Sequence, residues 1–77
     1  MYVIRKASGG FGFFVGMVYH GECGWHAGIQ HKANIDDKEI VKYSTKQQAD
    51  QQRMFLEEMF HEKNLVVVGG DSYGYQS

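Results

Sequence analysis

Four side chains within twelve residues could together hold a metal ion, because histidine nitrogens and a cysteine sulfur are atoms that zinc favours in a tetrahedral site. Their spacing, H-x2-C-x2-H-x4-H, is not one of the familiar finger or knuckle patterns. On a β-hairpin, His31 would lie on the face opposite to His26, so the turn would have to wrap for both to reach one ion. The favoured interpretation is therefore three surface histidines and a small turn cysteine. The four residues are His20, Cys23, His26 and His31.

Other chemistry is less well supported by the sequence. A nucleophilic Cys23 would need a helix N-terminus or a cationic neighbour to lower its pKa, and a turn between strands offers only histidines. Asp36 and Asp37 are adjacent, so in an extended chain they point to opposite faces and cannot share a proton. The glycine-rich stretches 9–12 and 69–70 do not lead into a helix, as a phosphate cradle requires. The sequence predicts a protein that is not an enzyme and has no cofactor.

Length and composition limit the class of protein further. A chain of 77 residues has room for one domain with a thin hydrophobic core. Its single cysteine cannot form an internal disulfide, which favours a reducing compartment. Residues 1–7 are too few and too polar for the apolar part of a signal peptide, and there is no run of about eighteen apolar residues. We expect a cytoplasmic protein without a membrane segment.

The charges argue against a polyanionic partner. Eight basic and nine acidic side chains give a net charge of −1 and are scattered along the chain, so no basic patch marks a nucleic-acid surface. If nucleic acid did bind, bases would stack on aromatic residues exposed on a sheet beside basic groups. The nearest match to such a surface comprises Phe14, Val18, His20, His26 and Lys32.

Alternation of apolar residues predicts three strands, at 1–6, 11–20 and 25–35, with turns between them. In the second strand, Phe14 and Val18 lie opposite a wholly apolar face that we expect to be buried. That predicted buried face consists of Phe11, Phe13, Val15, Met17 and Tyr19.

A helix is the clearest single prediction. Ser44, with Gln47 three residues later, forms a capping-box pattern that predicts a helix start. Asn64 can adopt the left-handed conformation that ends a helix, and the apolar run 65–68 predicts a final strand that returns to the sheet. The helix stripe predicted to cover the sheet consists of Ala49, Arg53, Leu56, Met59 and Phe60.

These elements predict an α+β fold, in which a small antiparallel sheet with the chain order β-β-β-α-β packs against one amphipathic helix. The single domain would span residues 1–70, and residues 71–77 would form a flexible C-terminal tail. Phe14, Val18, Tyr73 and Tyr75 are the candidate binding residues, since exposed aromatic side chains are over-represented at protein interfaces. The alternative is that the helix, or another part of the chain, covers Phe14 and Val18.

Three features of the chain resemble small phage-encoded proteins of unknown function: the N-terminal strand Tyr2-Val3-Ile4, the central Trp25, and the helix start Tyr43-Ser44-Thr45-Lys46-Gln47-Gln48-Ala49. The resemblance covers most of the chain and implies an architecture, with no functional residues carried over. It also implies a role shared by many phage proteins of this size, which is to bind a host protein, for example as an inhibitor of a host defence or transcription complex.

Two function hypotheses follow. The first is a non-enzymatic protein-binding module, a phage-encoded inhibitor of a host complex, which could also form a homodimer through a sheet edge or the wide helix face. The second is a small metal- or nucleic-acid-binding regulator that uses the histidine and cysteine cluster. Metal stoichiometry or salt-sensitive affinity for nucleic acid would distinguish the second from the first.

Overall fold

The computed structural model describes residues 1–7 and 12–69, so Phe11, Tyr73, Tyr75 and the predicted tail 71–77 lie outside the described residues. Five elements follow one another in the predicted order β-β-β-α-β. They are β1 (Tyr2–Lys6), β2 (Gly12–His20), β3 (Gly24–His31), α1 (Lys46–Phe60) and β4 (Leu65–Gly69).

The four strands form one antiparallel sheet in the order β3-β2-β1-β4, and α1 packs against it. The α+β prediction is therefore confirmed. β4 returns to pair with β1 along its whole length, from Tyr2↔Gly69 to Lys6↔Leu65. β3 ends at His31, four residues before the predicted strand end at Ile35, because the chain then enters turns in which the side chains of Asn34 and Asp37 accept backbone N–H groups.

Hydrophobic cores lie on both faces of the sheet. The first, which we call the helix-side core, contains Ile4, Phe14, Ala27, Ala49, Leu56 and Leu65. The second, which we call the far-side core, contains Val3, Phe13 and Ile40, with Ile35 packed against it. The segment after β3 thus covers the sheet face opposite to the helix. Because both faces of the sheet are covered, strands with alternating and with continuous apolar residues are both buried.

A β-bulge in β2 decides which side chains belong to which core. The pairing of β2 with β3 shifts register between Phe14 and Gly16, and Gly16 has a φ of 111°. One extra residue moves every later side chain to the other face. Val15 therefore packs in the far-side core, whereas Met17 packs against the helix-side core. The prediction of one continuous buried face from Phe11 to Tyr19 is wrong for this reason.

The segment that leads into the helix lies between β1 and β2. The backbone N–H of Val41 donates to the carbonyl oxygen of Phe14 at 3.1 Å, and Tyr43 and Tyr2 exchange both of their backbone hydrogen bonds at 2.8 Å. Ile40 belongs to the far-side core, while Val41 packs against the helix-side core. The chain thus passes from one face of the sheet to the other where β2 diverges from β1.

Three details of the helix differ from the sequence prediction. Thr45, not Ser44, is the N-cap, and its hydroxyl accepts the backbone N–H of Gln48 at 3.1 Å. The helix ends at His61, which has a φ of 58°; Asn64 is also left-handed, three residues later. Met59 was predicted to cover the sheet but is 62% exposed, because the packed stripe runs through Ala49, Leu56 and Phe60.

Candidate functional site

The β2–β3 hairpin extends beyond the rest of the sheet. Phe13 of β2 pairs with Arg5 of β1. From this pair toward the hairpin turn, β2 continues for seven residues, whereas antiparallel β1 has three residues in the same direction. With one residue taken up by the bulge, about three residues of β2 extend beyond β1, roughly 10 Å of strand. We call residues 16–28 the hairpin arm. It places side chains on two opposite faces near a three-residue turn, Gly21–Cys23.

One face of the hairpin arm carries an exposed aromatic pair. Tyr19 and Trp25 are directly opposite each other on the two strands, with ring centroids 5.2 Å apart and a tilt of 57°. They are 59% and 58% exposed. Met17 and Ala27, the next pair toward the sheet, pack in or against the helix-side core. This aromatic face is therefore continuous with the packed interior yet extends past it.

The other face of the hairpin arm, which we call the histidine face, carries two exposed imidazoles. Val18 is opposite His26 and His20 is opposite Gly24, so the two histidines are diagonal neighbours on one face. Their ring centroids are 4.7 Å apart, with an edge-to-face angle of 65°. Nδ1 of His26 lies 3.2 Å from the carbonyl oxygen of Ala27.

The predicted four-ligand metal site is not formed. His31 pairs with Gly12 at the opposite end of the hairpin, five residues of extended strand from His26, or about 17 Å. Cys23 is exposed in the turn. Across residues 1–7 and 12–69, no three His, Cys, Asp or Glu side chains come close enough to share an ion. Strand geometry thus brings together His20 and His26 and separates His31 from them.

One of the two interpretations of the sequence made Phe14 an exposed binding residue, and that interpretation is wrong. Phe14 is 3% exposed and packs in the helix-side core with Leu56, so the alternative prediction, burial under the helix, describes it correctly. Val18 is partly buried on the histidine face, beside Val15 and Gly28. Lys32, a candidate contact for nucleic acid, has a 14% exposed side chain that is ion-paired with Glu39.

Sequence reasoning missed Tyr19 because alternation placed it on the face of the second strand that was predicted to be buried, and Trp25 was not among the candidate binding residues. A signal for their exposure is present in the element lengths. The predicted second and third strands are ten and eleven residues long, against six and four for the first and last. A hairpin much longer than its neighbours must extend past the sheet that they form, so its distal aromatics cannot all be covered.

Shifts in the pKa values of three side chains are explained by burial or by local hydrogen bonds. Burial raises the pKa of Tyr43 to about 12. The hydrogen bond from Lys32 to Glu39 raises the pKa of that lysine, and the hydrogen bond from Lys46 lowers the pKa of Asp50. All three groups lie in the segment before the helix or on the helix itself, away from the hairpin arm.

Comparisons with protein-family models, curated proteins and solved structures gave no significant match to the chain. In the described part of the chain, α1, with 15 residues, falls short of the length and apolar character that crossing a membrane requires. The geometry of the hairpin arm is therefore the basis for assigning a function.

Proposed function

We propose that the protein is a non-enzymatic binding module that docks on a protein partner through the aromatic face of its hairpin arm. The observation that carries this proposal is the exposed, cross-strand pair of Tyr19 and Trp25 on a part of the hairpin that extends past the sheet. A site at the end of a projecting hairpin can enter a cleft of a partner without steric conflict from the rest of the domain.

The residue types suit such a contact. Tryptophan and tyrosine dominate the energetically important positions of protein interfaces, because they bury a large area at a small cost in side-chain entropy. Tyr19 and Trp25 already constrain each other by ring contact and by their places on paired strands. Less conformational entropy is therefore lost on binding than for two aromatic residues in an irregular loop.

The base of the hairpin arm is fixed to the domain. Ala27 is buried in the helix-side core, and across the hairpin the carbonyl oxygen of Gly16 lies 2.7 Å from the position that a β-carbon on Gly28 would take. Val41 holds the strand just before the bulge by a backbone hydrogen bond to Phe14. The aromatic face thus has a defined orientation relative to the core, as a preorganised recognition surface requires.

The resemblance to small phage-encoded proteins adds a proposal about the partner. It would be a protein of a bacterial host, in a defence or transcription complex, and binding would inhibit that complex. The charge balance of −1 is consistent with a contact based on apolar and aromatic side chains. A second copy of the chain is the competing occupant, because β3 is an edge strand of the sheet and offers backbone groups for pairing.

The experiment is affinity capture from a bacterial lysate with three versions of the chain: the unchanged protein, Trp25→Thr and His26→Thr. Threonine suits a strand, and His26 lies next to Trp25 but on the opposite face, so the second variant is the matched control. We expect a protein that is retained by the unchanged chain and by His26→Thr and is lost with Trp25→Thr.

The captured protein is then purified and its affinity measured. A loss of about tenfold or more with Trp25→Thr alone supports docking through the aromatic face. Equal retention by all three versions, or no retained protein, contradicts it. Light scattering over a range of concentrations separates the competing case, since a homodimer would show twice the mass of the chain, and one paired through the backbone of β3 would persist in Trp25→Thr.

A further inference from the structure

The histidine face of the hairpin arm holds two imidazoles at a separation that suits a two-nitrogen chelate. His20 and His26 are exposed diagonal neighbours on paired strands, with ring centroids 4.7 Å apart. A metal–nitrogen distance of about 2 Å, plus the radius of each ring, places two imidazoles on one ion about 4.5–5 Å apart at angles near 90–110°. The observed separation lies within that range.

The tautomer of His26 is also suitable. A carbonyl oxygen only accepts, so the 3.2 Å contact between Nδ1 of His26 and the oxygen of Ala27 is a hydrogen bond in the tautomer that carries the proton on Nδ1. In that neutral tautomer the lone pair lies on Nε2. Metal-binding histidines are commonly fixed in this way, with the second nitrogen donating to a backbone carbonyl.

We infer that His20 and His26 form a binding site for one late first-row divalent metal ion, with the remaining coordination positions taken by water. Imidazole ligands suit zinc, nickel and copper, and of these three ions copper binds most tightly. The site differs from the predicted four-ligand cluster, since it needs neither Cys23 nor His31. It is also independent of the aromatic face, because the two pairs point to opposite sides of the hairpin arm.

Binding would link the two strands close to the turn. The ion would bind the folded hairpin and not the unfolded chain, in which the two imidazoles are not held together, so stability would rise with the logarithm of metal concentration above the dissociation constant. The inferred consequence is a hairpin arm whose distal end is more rigid in the presence of the metal.

The test is a calorimetric titration of the untagged, metal-free chain with nickel chloride, supported by NMR of the histidine rings. We expect one nickel ion per chain, with the strongest paramagnetic effects on the rings of His20 and His26. His20→Asn and His26→Asn should each weaken binding about tenfold or more. Copper should bind more tightly than nickel in the same titration.

Two control variants isolate the site. His61→Asn removes the histidine at the helix end and keeps a residue that tolerates its left-handed φ of 58°, and Cys23→Ser removes the thiol in the turn. Neither should change nickel affinity. Binding that persists in His26→Asn, binding that disappears with Cys23→Ser, or no binding at millimolar nickel would overturn the inference. Circular dichroism of each metal-free variant confirms that it is folded.

Discussion

The carbonyl oxygen of Gly16 lies 2.7 Å from the position that a β-carbon on residue 28 would occupy. Val18 and Val15 approach the same point at 2.9 and 3.2 Å, so the space is closed on more than one side. This contact sets the spacing of the two paired strands at the base of the hairpin arm, just where the bulge reverses the faces of β2. The close pairing of the strands below the aromatic pair therefore depends on a residue without a side chain.

The first prediction concerns this contact. Gly28→Ala should lower the free energy of unfolding by about 1–3 kcal/mol, because backbone must shift to accept the methyl group. Gly21→Ala is the matched control, since nothing lies within 4 Å of its β-carbon position. Urea denaturation followed by circular dichroism measures both. Equal stabilities of the two variants would contradict the close approach of the strands.

The second prediction concerns the start of the helix. Thr45→Ala should cost about 1 kcal/mol, because the backbone N–H of Gln48 loses its acceptor. In a domain of this size the thermal midpoint would then fall by about 4–8 °C. Ser44→Ala should change stability by less than about 0.5 kcal/mol, since its hydroxyl donates to the exposed side chain of Gln48 and not to a backbone group of the helix start. A larger loss of stability with Ser44→Ala than with Thr45→Ala would contradict this account and support Ser44 as the N-cap.

The third prediction separates two apolar residues of α1. Leu56→Ala should lower the free energy of unfolding by about 2–5 kcal/mol, because Leu56 is fully buried. Met59→Ala should have an effect of less than about 0.5 kcal/mol, because Met59 is 62% exposed. Chemical denaturation of both variants provides the comparison. A large loss with Met59→Ala would show that the helix is rotated relative to the described packing.

The fourth prediction is a stability change at alkaline pH. Burial raises the pKa of folded Tyr43 from 10.0 to about 12, so the unfolded chain loses this proton first. The contribution of Tyr43 is fully present below pH 10 and is lost as the pH rises toward 12. Because the ring is only half-buried, we expect a loss of about 1 kcal/mol.

Denaturation at pH 8, 10 and 11.5 tests this expectation, with Tyr43→Phe as the reference. The phenylalanine variant lacks the titrating hydroxyl and should be less sensitive over that range by about the same amount. Parallel pH dependence of the two proteins would mean that the Tyr43 hydroxyl reaches water in the folded state.

Strand periodicity and turn composition were sufficient to predict the element order and the return of β4. Two features were beyond that reasoning. A glycine such as Gly16 permits a bulge or a bend, but alternation does not show whether a bulge forms, and this bulge reverses the faces of Met17 and Tyr19. The crossing of residues 40–43 between β1 and β2 depends on contacts between segments far apart in sequence, which no local pattern encodes.

The candidate site, like the fold, could be predicted from the sequence only in part. Spacing was enough to identify His20 and His26 as possible ligands, but the distance to His31 depends on where the hairpin turns and how long each strand runs. Phe14, one of the candidate binding residues, is buried under the helix, whereas Trp25, which was not a candidate, lies past the end of the covered sheet. The relative lengths of the strands determine the exposure of Trp25.

Trp25 is the only tryptophan in the chain, so its fluorescence reports directly on the aromatic face. The decisive measurement is the emission spectrum of the protein during titration with the captured partner, prepared with its own tryptophans replaced by a non-fluorescent analogue. Docking through the aromatic face predicts a blue shift that saturates at the stoichiometry of the complex, since Trp25 passes from water into an apolar contact. A complex that forms while the emission of Trp25 stays unchanged would contradict the proposed mode of binding.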